Sequence, residues 1–355
     1  MAKLLIKNGR VWDGSQFFSV DVLTEGKRIA KMEANCSDEA DFMFDASGKI
    51  VSAGLVDAHV HLRGVSIDEF GTPGEVGCFP FGVTAVADAG SAHGDKALLD
   101  SFMLKAVALT GIEVKADVAS FDFTERMLER YGDRAVGIKV YFDTTQTEVT
   151  STAVLKQACD YAHAKGLRVM VHCANSPVPM AEMLDVLSAG DILTHSFHGG
   201  RYTAAEDGFE SMKRAQARGV VIDVGFAGHV HTDFDVLRQA IACGMIPDLI
   251  STDLTKCSSY IRGGRYGMTM CMSIAKHLGM SEEDILRAVT KNPAKALGKE
   301  QDWGALKVGG VADLAVLDVT DEGFSLTDRA GNHIESDKGY RCLLTVADGQ
   351  VVYRY

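Results

Sequence analysis

"GLVDAHVHLRG", residues 54–64, closes an apolar run with two histidines separated by a single valine. Side chains alternate faces along a strand, so His59 and His61 point the same way, close to one another. Two protonated imidazoles there would repel. A shared metal ion that binds both as neutral ligands removes the conflict. The alternative is a pair of polar residues at a strand end, satisfied by water or backbone. The rest of the chain has to decide.

The chain has 355 residues, of which 46% are hydrophobic and 24% charged, the profile of a soluble globular protein with a large core. That length fits two domains or one large α/β barrel with an attachment. A net charge of -12 argues against nucleic acid or an anionic membrane as partner and leaves a small molecule. The eight cysteines show no C-x-x-C spacing, and Cys173 and Cys243 lie in apolar surroundings, where they read as reduced core residues. The opening "MAKLLIKNGRVWDG" is broken by Lys7 too early for a signal-peptide core, and no stretch reaches transmembrane length. A cytoplasmic location is expected. Composition leaves open whether the chain forms a homo-oligomer.

Residues 3 to 50 read as short strands and turns, and the last fifty residues return to that style in "VADLAVLDV" and "CLLTVADGQVVYRY". Between them, short apolar runs alternate with amphipathic segments, the pattern of βα units. Eight runs can be counted: "GLVDAHV", "GVTAVADAG", "IEVKADVAS", "AVGIKVYF", "LRVMVHC", "DILTHSF", "GVVIDVGF" and "DLISTDL". Helical patterns separate most of them, at 95–109, 151–165, 205–218 and 233–244. Eight repeats over roughly 250 residues predict a (β/α)8 TIM barrel. The expected division is a barrel at 53–300 and a small β-sandwich domain built from both termini, 1–52 and 301–355.

A barrel of this kind carries its active site at the C-terminal ends of the strands. Those ends hold His59 and His61 in the first run, Lys139 in "GIKVYF", His172 in "VMVHC", His195 in "ILTHSF" and Asp253 in "LISTDLT". Singly, each has an ordinary explanation: a solvated strand end, a snorkelling lysine, a helix cap. Six such residues at one mouth point to chemistry.

The ordered set "DAHVH", "GIKVY", "VHC", "THS" and "STD" resembles the amidohydrolase superfamily of barrel metallohydrolases over essentially the whole chain. "GLVDAHVHLRG", "GVTAVADAGSA", "GDILTHSFHG" and "DLISTDL" resemble its amidohydrolase/deacetylase metallohydrolases, a dihydroorotase-like subgroup. The resemblance implies a binuclear site, most often of zinc, with manganese, iron or cobalt as alternatives. His59, His61 and Asp253 would hold one ion and His172 and His195 the other. Lys139 would bridge them as a carbamate formed with carbon dioxide. An ammonium has only donors and cannot ligate a cation, whereas a buried neutral amine can add carbon dioxide and become an anionic oxygen ligand. The implied reaction is attack by a bridging hydroxide on an ester or amide of a small acylated substrate, with Asp253 as the catalytic proton carrier.

Candidate substrate contacts lie around this set. His198 in "HSFHGG" is either a substrate contact or a solvated loop histidine. His229 and His231 in "GFAGHVH" form a second HxH without a further ligand in sequence, so either a substrate contact or a surface role fits better than a separate metal site. Arg63, Arg262 and Arg265 flank the first and last strands, where one would clamp a substrate carboxylate. Tyr141 shares the face of Lys139, with core packing as the alternative. His93 follows the second strand at the rim. The competing functions are a cyclic-amide hydrolase of dihydroorotase or hydantoinase type, a mononuclear deaminase and a dead scaffold. Deaminases of that class usually lack the lysine and carry a glutamate soon after the strand-five histidine, where this chain has "HCANSP". Dead relatives lose ligands that are all present here.

Overall fold

A computed structural model describes residues 2–62, 70–90, 94–261 and 266–355, with backbone alone at His229, Tyr260 and Ile261. Seven parallel strands follow one another around the middle of the chain: one, Leu55–Val60; two, Val83–Ala89; three, Lys105–Gly111; four, Ala135–Tyr141; five, Arg168–His172; six, Ile192–Thr194; seven, Val221–Ile222. Strands one and two are buried at every residue, as expected of strands covered on both faces. The barrel interior is filled by side chains such as Val56, Ala85, Val107, Met170 and Ile192.

"DLISTDL" completes the ring without forming a regular strand. Parallel bridges join Asp223 to Leu249 and Val60 to Leu254. Phe226 N donates to Ser251 O at 3.1 Å, and His61 N to Leu254 O at 2.9 Å. Regular pairing fails there because Asp253 turns into the left-handed region (φ 47°) and the Asp57 carboxylate takes the Thr252 amide, 3.2 Å away.

The third strand corrects the sequence expectation. "IEVKADVAS" forms a small antiparallel hairpin, Glu113–Lys115 with Val118–Ser120. Barrel strand three, Lys105–Gly111, begins upstream, within the 95–109 segment expected to be helical; the helix there covers only Lys96–Ser101. A short apolar run such as "KAVALTG" has no periodicity to separate strand from buried helix, and tertiary pairing decides. Helices Ala153–Ala164 and Phe234–Ala242 match the expected segments, while 205–218 divides into a 3-10 turn, Ala204–Asp207, and a helix, Glu210–Ala217. Cys243 is exposed rather than buried, because it falls on the turn after the helix Phe234–Ala242; Cys173 is buried.

Both termini build the second layer. Leu314–Thr320 pairs antiparallel with Ile50–Ala53 inside a six-stranded sheet, and a four-stranded sheet contains Lys3–Lys7. Leu4, Ile6 and Val22 from the smaller sheet pack with Val11, Val51, Leu314 and Val346 from the larger, giving a β-sandwich. Lys105 Nζ ties it to the barrel, donating to Asp313 at 2.8 Å and Asp348 at 2.7 Å. A hairpin, Phe324–Thr327 with His333–Ser336, reaches back toward the barrel mouth, where Asp328 accepts from Phe234 N at 2.8 Å. Among the described residues no helix is long and apolar enough to cross a membrane.

Candidate active site

His59 is the last residue but one of strand one and His61 follows the strand's end, and their ring centroids lie 5.4 Å apart. Asp253 arrives from the closing segment. Its Oδ1 is 3.3 Å from His59 Nε2 and 2.9 Å from His61 Nε2, and its Oδ2 is 3.8 Å from His195 Nε2. Burial alone would raise this carboxyl, but the His59, His61 and His195 imidazoles hold it well below the usual carboxylate range. His172 and His195, at the ends of strands five and six, stand with centroids 4.4 Å apart. His231, from the loop after strand seven, joins them at 5.1 and 4.3 Å. Two groups of ligand atoms result, His59–His61–Asp253 and His172–His195–His231, each with its atoms within 4.8 Å of one another.

Lys139 lies within strand four and is fully buried. Its Nζ is 2.7 Å from His59 Nε2 and 3.4 Å from Met170 Sδ. Among the described residues no carboxylate comes within ion-pair distance of it. A buried ammonium without such a partner is costly. Burial accordingly brings Lys139 down to about 7, against the opposite pull of Asp253 and Asp223.

The imidazoles are oriented from behind. Thr194 Oγ1 donates to Asp223 Oδ2 at 2.7 Å and accepts from His59 Nδ1 at 3.1 Å, which leaves the lone pair of His59 on Nε2. His195 Nδ1 donates to the Gly225 carbonyl at 2.6 Å, and its buried Nε2 has no hydrogen-bond partner. His172 Nε2 is 3.5 Å from Asp143 Oδ2, so Nδ1 is the ring nitrogen left for a ligand. Burial pushes the His59 and His195 imidazoliums well down, and His231 to about 4. Neutral imidazoles gathered around a buried carboxylate, with His59 Nε2 met by Lys139 Nζ and His195 Nε2 without a partner among the described residues, are the donor set of a metal site.

Backbone strain gathers here as well: His195 (φ 60°) and Asp253 (φ 47°) both adopt the left-handed conformation. Gly225 (φ 60°) is required, because a Cβ there would sit 2.3 Å from Thr194 Oγ1 and 2.6 Å from His195 Nδ1. Gly225→Ala should therefore cost about 1–3 kcal/mol of stability and disturb both His59 and His195. A thermal melt paired with an activity assay checks this; a variant with wild-type melting and turnover contradicts it.

The six residues expected at the strand ends thus meet at one mouth. Tyr141 lies beside them, its ring 5.2 Å from His172. His198 is buried rather than solvated: Nδ1 accepts from Gly200 N at 3.1 Å, and Nε2 has no hydrogen-bond partner. With His231, Asn175 and Arg329 it lines a cavity of about 250 Å³. Arg63, His93, Arg262 and Arg265 lie outside the described residues, as does the side chain of His229. Sequence reasoning did not single out Thr194, Asp223, Asp143 or Gly225; the only sequence signals were that Thr194 adjoins His195, that Asp143 directly follows the fourth apolar run, and that Asp223 and Gly225 fall inside the seventh. Nor did it place His231 beside His172 and His195.

Fold and site define a barrel hydrolase with a histidine-rich, metal-type centre. The chain belongs to the amidohydrolase family, whose model matches residues 50–352. It is similar to a deacetylase of Agrobacterium fabrum (31% identity, covering 90% of this chain and 83% of the relative). It is also similar to a deacetylase of Enterococcus faecalis (28% identity, 98% of each). Among solved structures it superposes on a dihydroorotase with a TM-score of 0.88 at 25% identity, covering 100% of this chain and 98% of that one. An adenine deaminase matches with a TM-score of 0.85 at 25% identity and full coverage of both.

Proposed function

We propose that this protein is a binuclear metal-dependent hydrolase that cleaves an ester or amide bond of a small acylated compound. The observation that carries it is Lys139, buried without a carboxylate partner among the described residues and set against His59 between two histidine groups. His59, His61 and Asp253 would hold one divalent ion, His172 and His195 the other, and Lys139 would bridge them as a carbamate. Zinc suits these nitrogen and oxygen donors, and manganese, iron or cobalt would also be accepted. When bound, the ions supply an activated water at neutral pH and polarise the substrate carbonyl. Asp253 then takes the proton of the attacking water and passes it to the leaving nitrogen or oxygen. Thr194, Asp143 and the Gly225 carbonyl keep the imidazole lone pairs directed inward. Residues 53–300 carry this chemistry, and 1–52 with 301–355 brace it.

Relatives named deacetylases favour removal of an acyl group, and relatives named dihydroorotases keep cyclic amides as the second class to assay. The test is a screen of acylated hydroxy acids, N-acyl amino acids and cyclic ureides on metal-loaded protein. Acid release without ring opening is expected. Ring opening alone, or ammonia release from an adenine-type substrate, contradicts the acyl assignment.

Carbamate formation has a definite pH sign. The neutral Lys139 amine attacks carbon dioxide, the N–C bond forms and the amine proton leaves to solvent. Because Lys139 is brought to about 7 by burial, its neutral fraction rises with pH through that value. With dissolved carbon dioxide held equal at the two pH values by adjusting total bicarbonate, the carbon-dioxide-dependent part of zinc reloading into metal-free protein should therefore be faster at pH 8 than at pH 6. Reloading indifferent to bicarbonate at both pH values contradicts this role.

A further inference from the structure

His231 stands on the wall between the buried histidines and the 250 Å³ cavity. Its position is fixed from both sides. Upstream, Ala227 N donates to Thr252 O at 3.0 Å, pinning the loop to the segment that carries Asp253. Downstream, Asp233 N donates to Phe197 O at 2.9 Å, pinning it to the loop after His195. The Asp233 side chain caps the helix Phe234–Ala242 and accepts from Asn332 Nδ2 at 3.0 Å, adding the C-terminal hairpin to the support. These bonds tie the backbone on either side of His231 to the segments that carry Asp253 and His195.

Its chemistry is unsatisfied. Among the described residues the buried Nδ1 of His231 has no hydrogen-bond partner, nor has the Nε2 of His195 beside it. Two neighbouring neutral imidazoles that leave ring nitrogens unpaired lose hydrogen bonds that water would have supplied. A cation between them and His172 would satisfy these nitrogens.

We propose that His231 is a third imidazole ligand of the ion held by His172 and His195. This rests on the binuclear assignment above and extends it: one of the two sites would not need the Lys139 carbamate to retain its ion. A purely substrate-contacting His231 would instead change only substrate affinity.

The experiment compares wild-type protein with His231→Ala, His231→Cys and, as reference, His172→Ala. Each is loaded with zinc or cobalt and dialysed against a graded chelator, with ions counted per folded chain. His231→Ala should lose one of its two ions at a chelator concentration at least about tenfold lower than wild type, in the same order of loss as His172→Ala. Cobalt-loaded His231→Cys should gain a thiolate-to-cobalt charge-transfer absorption above the wild-type background. The proposal is overturned if His231→Ala keeps both ions at wild-type affinity while His172→Ala loses one, or if His231→Cys shows no added absorption. A rise in KM with both ions intact overturns it too. Wild-type protein that binds no second ion, or His172→Ala that loses none, would instead remove the binuclear assignment itself.

Discussion

Asp253→Asn should abolish turnover while leaving the fold intact. An amide nitrogen and oxygen fill the same space, so the closing segment should still seat itself between strands seven and one. The carboxylate does two things that an amide cannot. It faces His59, His61 and His195 at 3.3, 2.9 and 3.8 Å, the negative charge among three imidazoles. In the proposed reaction it would also accept and return a proton during bond cleavage, a role whose loss costs about 10²–10⁴-fold. Weakened metal binding adds to that. The His59–His61 ion should be lost first on dialysis, because Oδ1 lies closest to that pair, while the other ion persists. On the acid side, activity of the wild type should fall as the attacking hydroxide becomes protonated, while Asp253, held well below the usual carboxylate range, stays ionised. Wild-type kcat in Asp253→Asn, or a flat profile between pH 5 and 8, would refute the assignment.

The second large effect is expected at Lys139. Lys139→Ala removes a side chain that is fully buried beside His59 and leaves space where a short carboxylate can enter. Loss of groups that merely orient metal ligands costs about 10–100-fold, so loss of a bridging ligand should cost more. Acetate or propionate, supplied at high concentration, should restore part of the activity by replacing the carbamate oxygens. If His231 acts as inferred, the ion at His172 and His195 survives in this variant. Near-normal turnover with both ions present would mean that the lysine is structural only.

The convergence of His59, His61, Lys139, His172, His195 and Asp253 is legible because a barrel maps sequence order onto a ring. A residue that ends a short apolar run ends a strand, and all strand ends face one mouth. The pairing of the termini is legible for a similar reason, since both ends show turn-punctuated strands. What escapes the sequence is set by contacts across the ring. "KAVALTG" is a strand because a gap between strands two and four must be filled, and nothing in its own pattern says so. The closing segment carries strand-like residues, yet Asp253 bends the backbone to aim its carboxylate. Thr194, Asp143 and Gly225 orient imidazoles through bonds that the sequence pattern cannot show. His231 lies 36 residues beyond His195, on a loop whose course only the pinning of Ala227 and Asp233 defines.

Elemental analysis of the purified, active protein tests the central claim most directly. The donor set exceeds what one tetrahedral ion requires, so close to two divalent ions per chain are expected. Both should leave on exhaustive chelation, activity should disappear with them, and zinc plus bicarbonate should restore it. One ion per fully active chain, or activity that survives removal of both, would contradict the account.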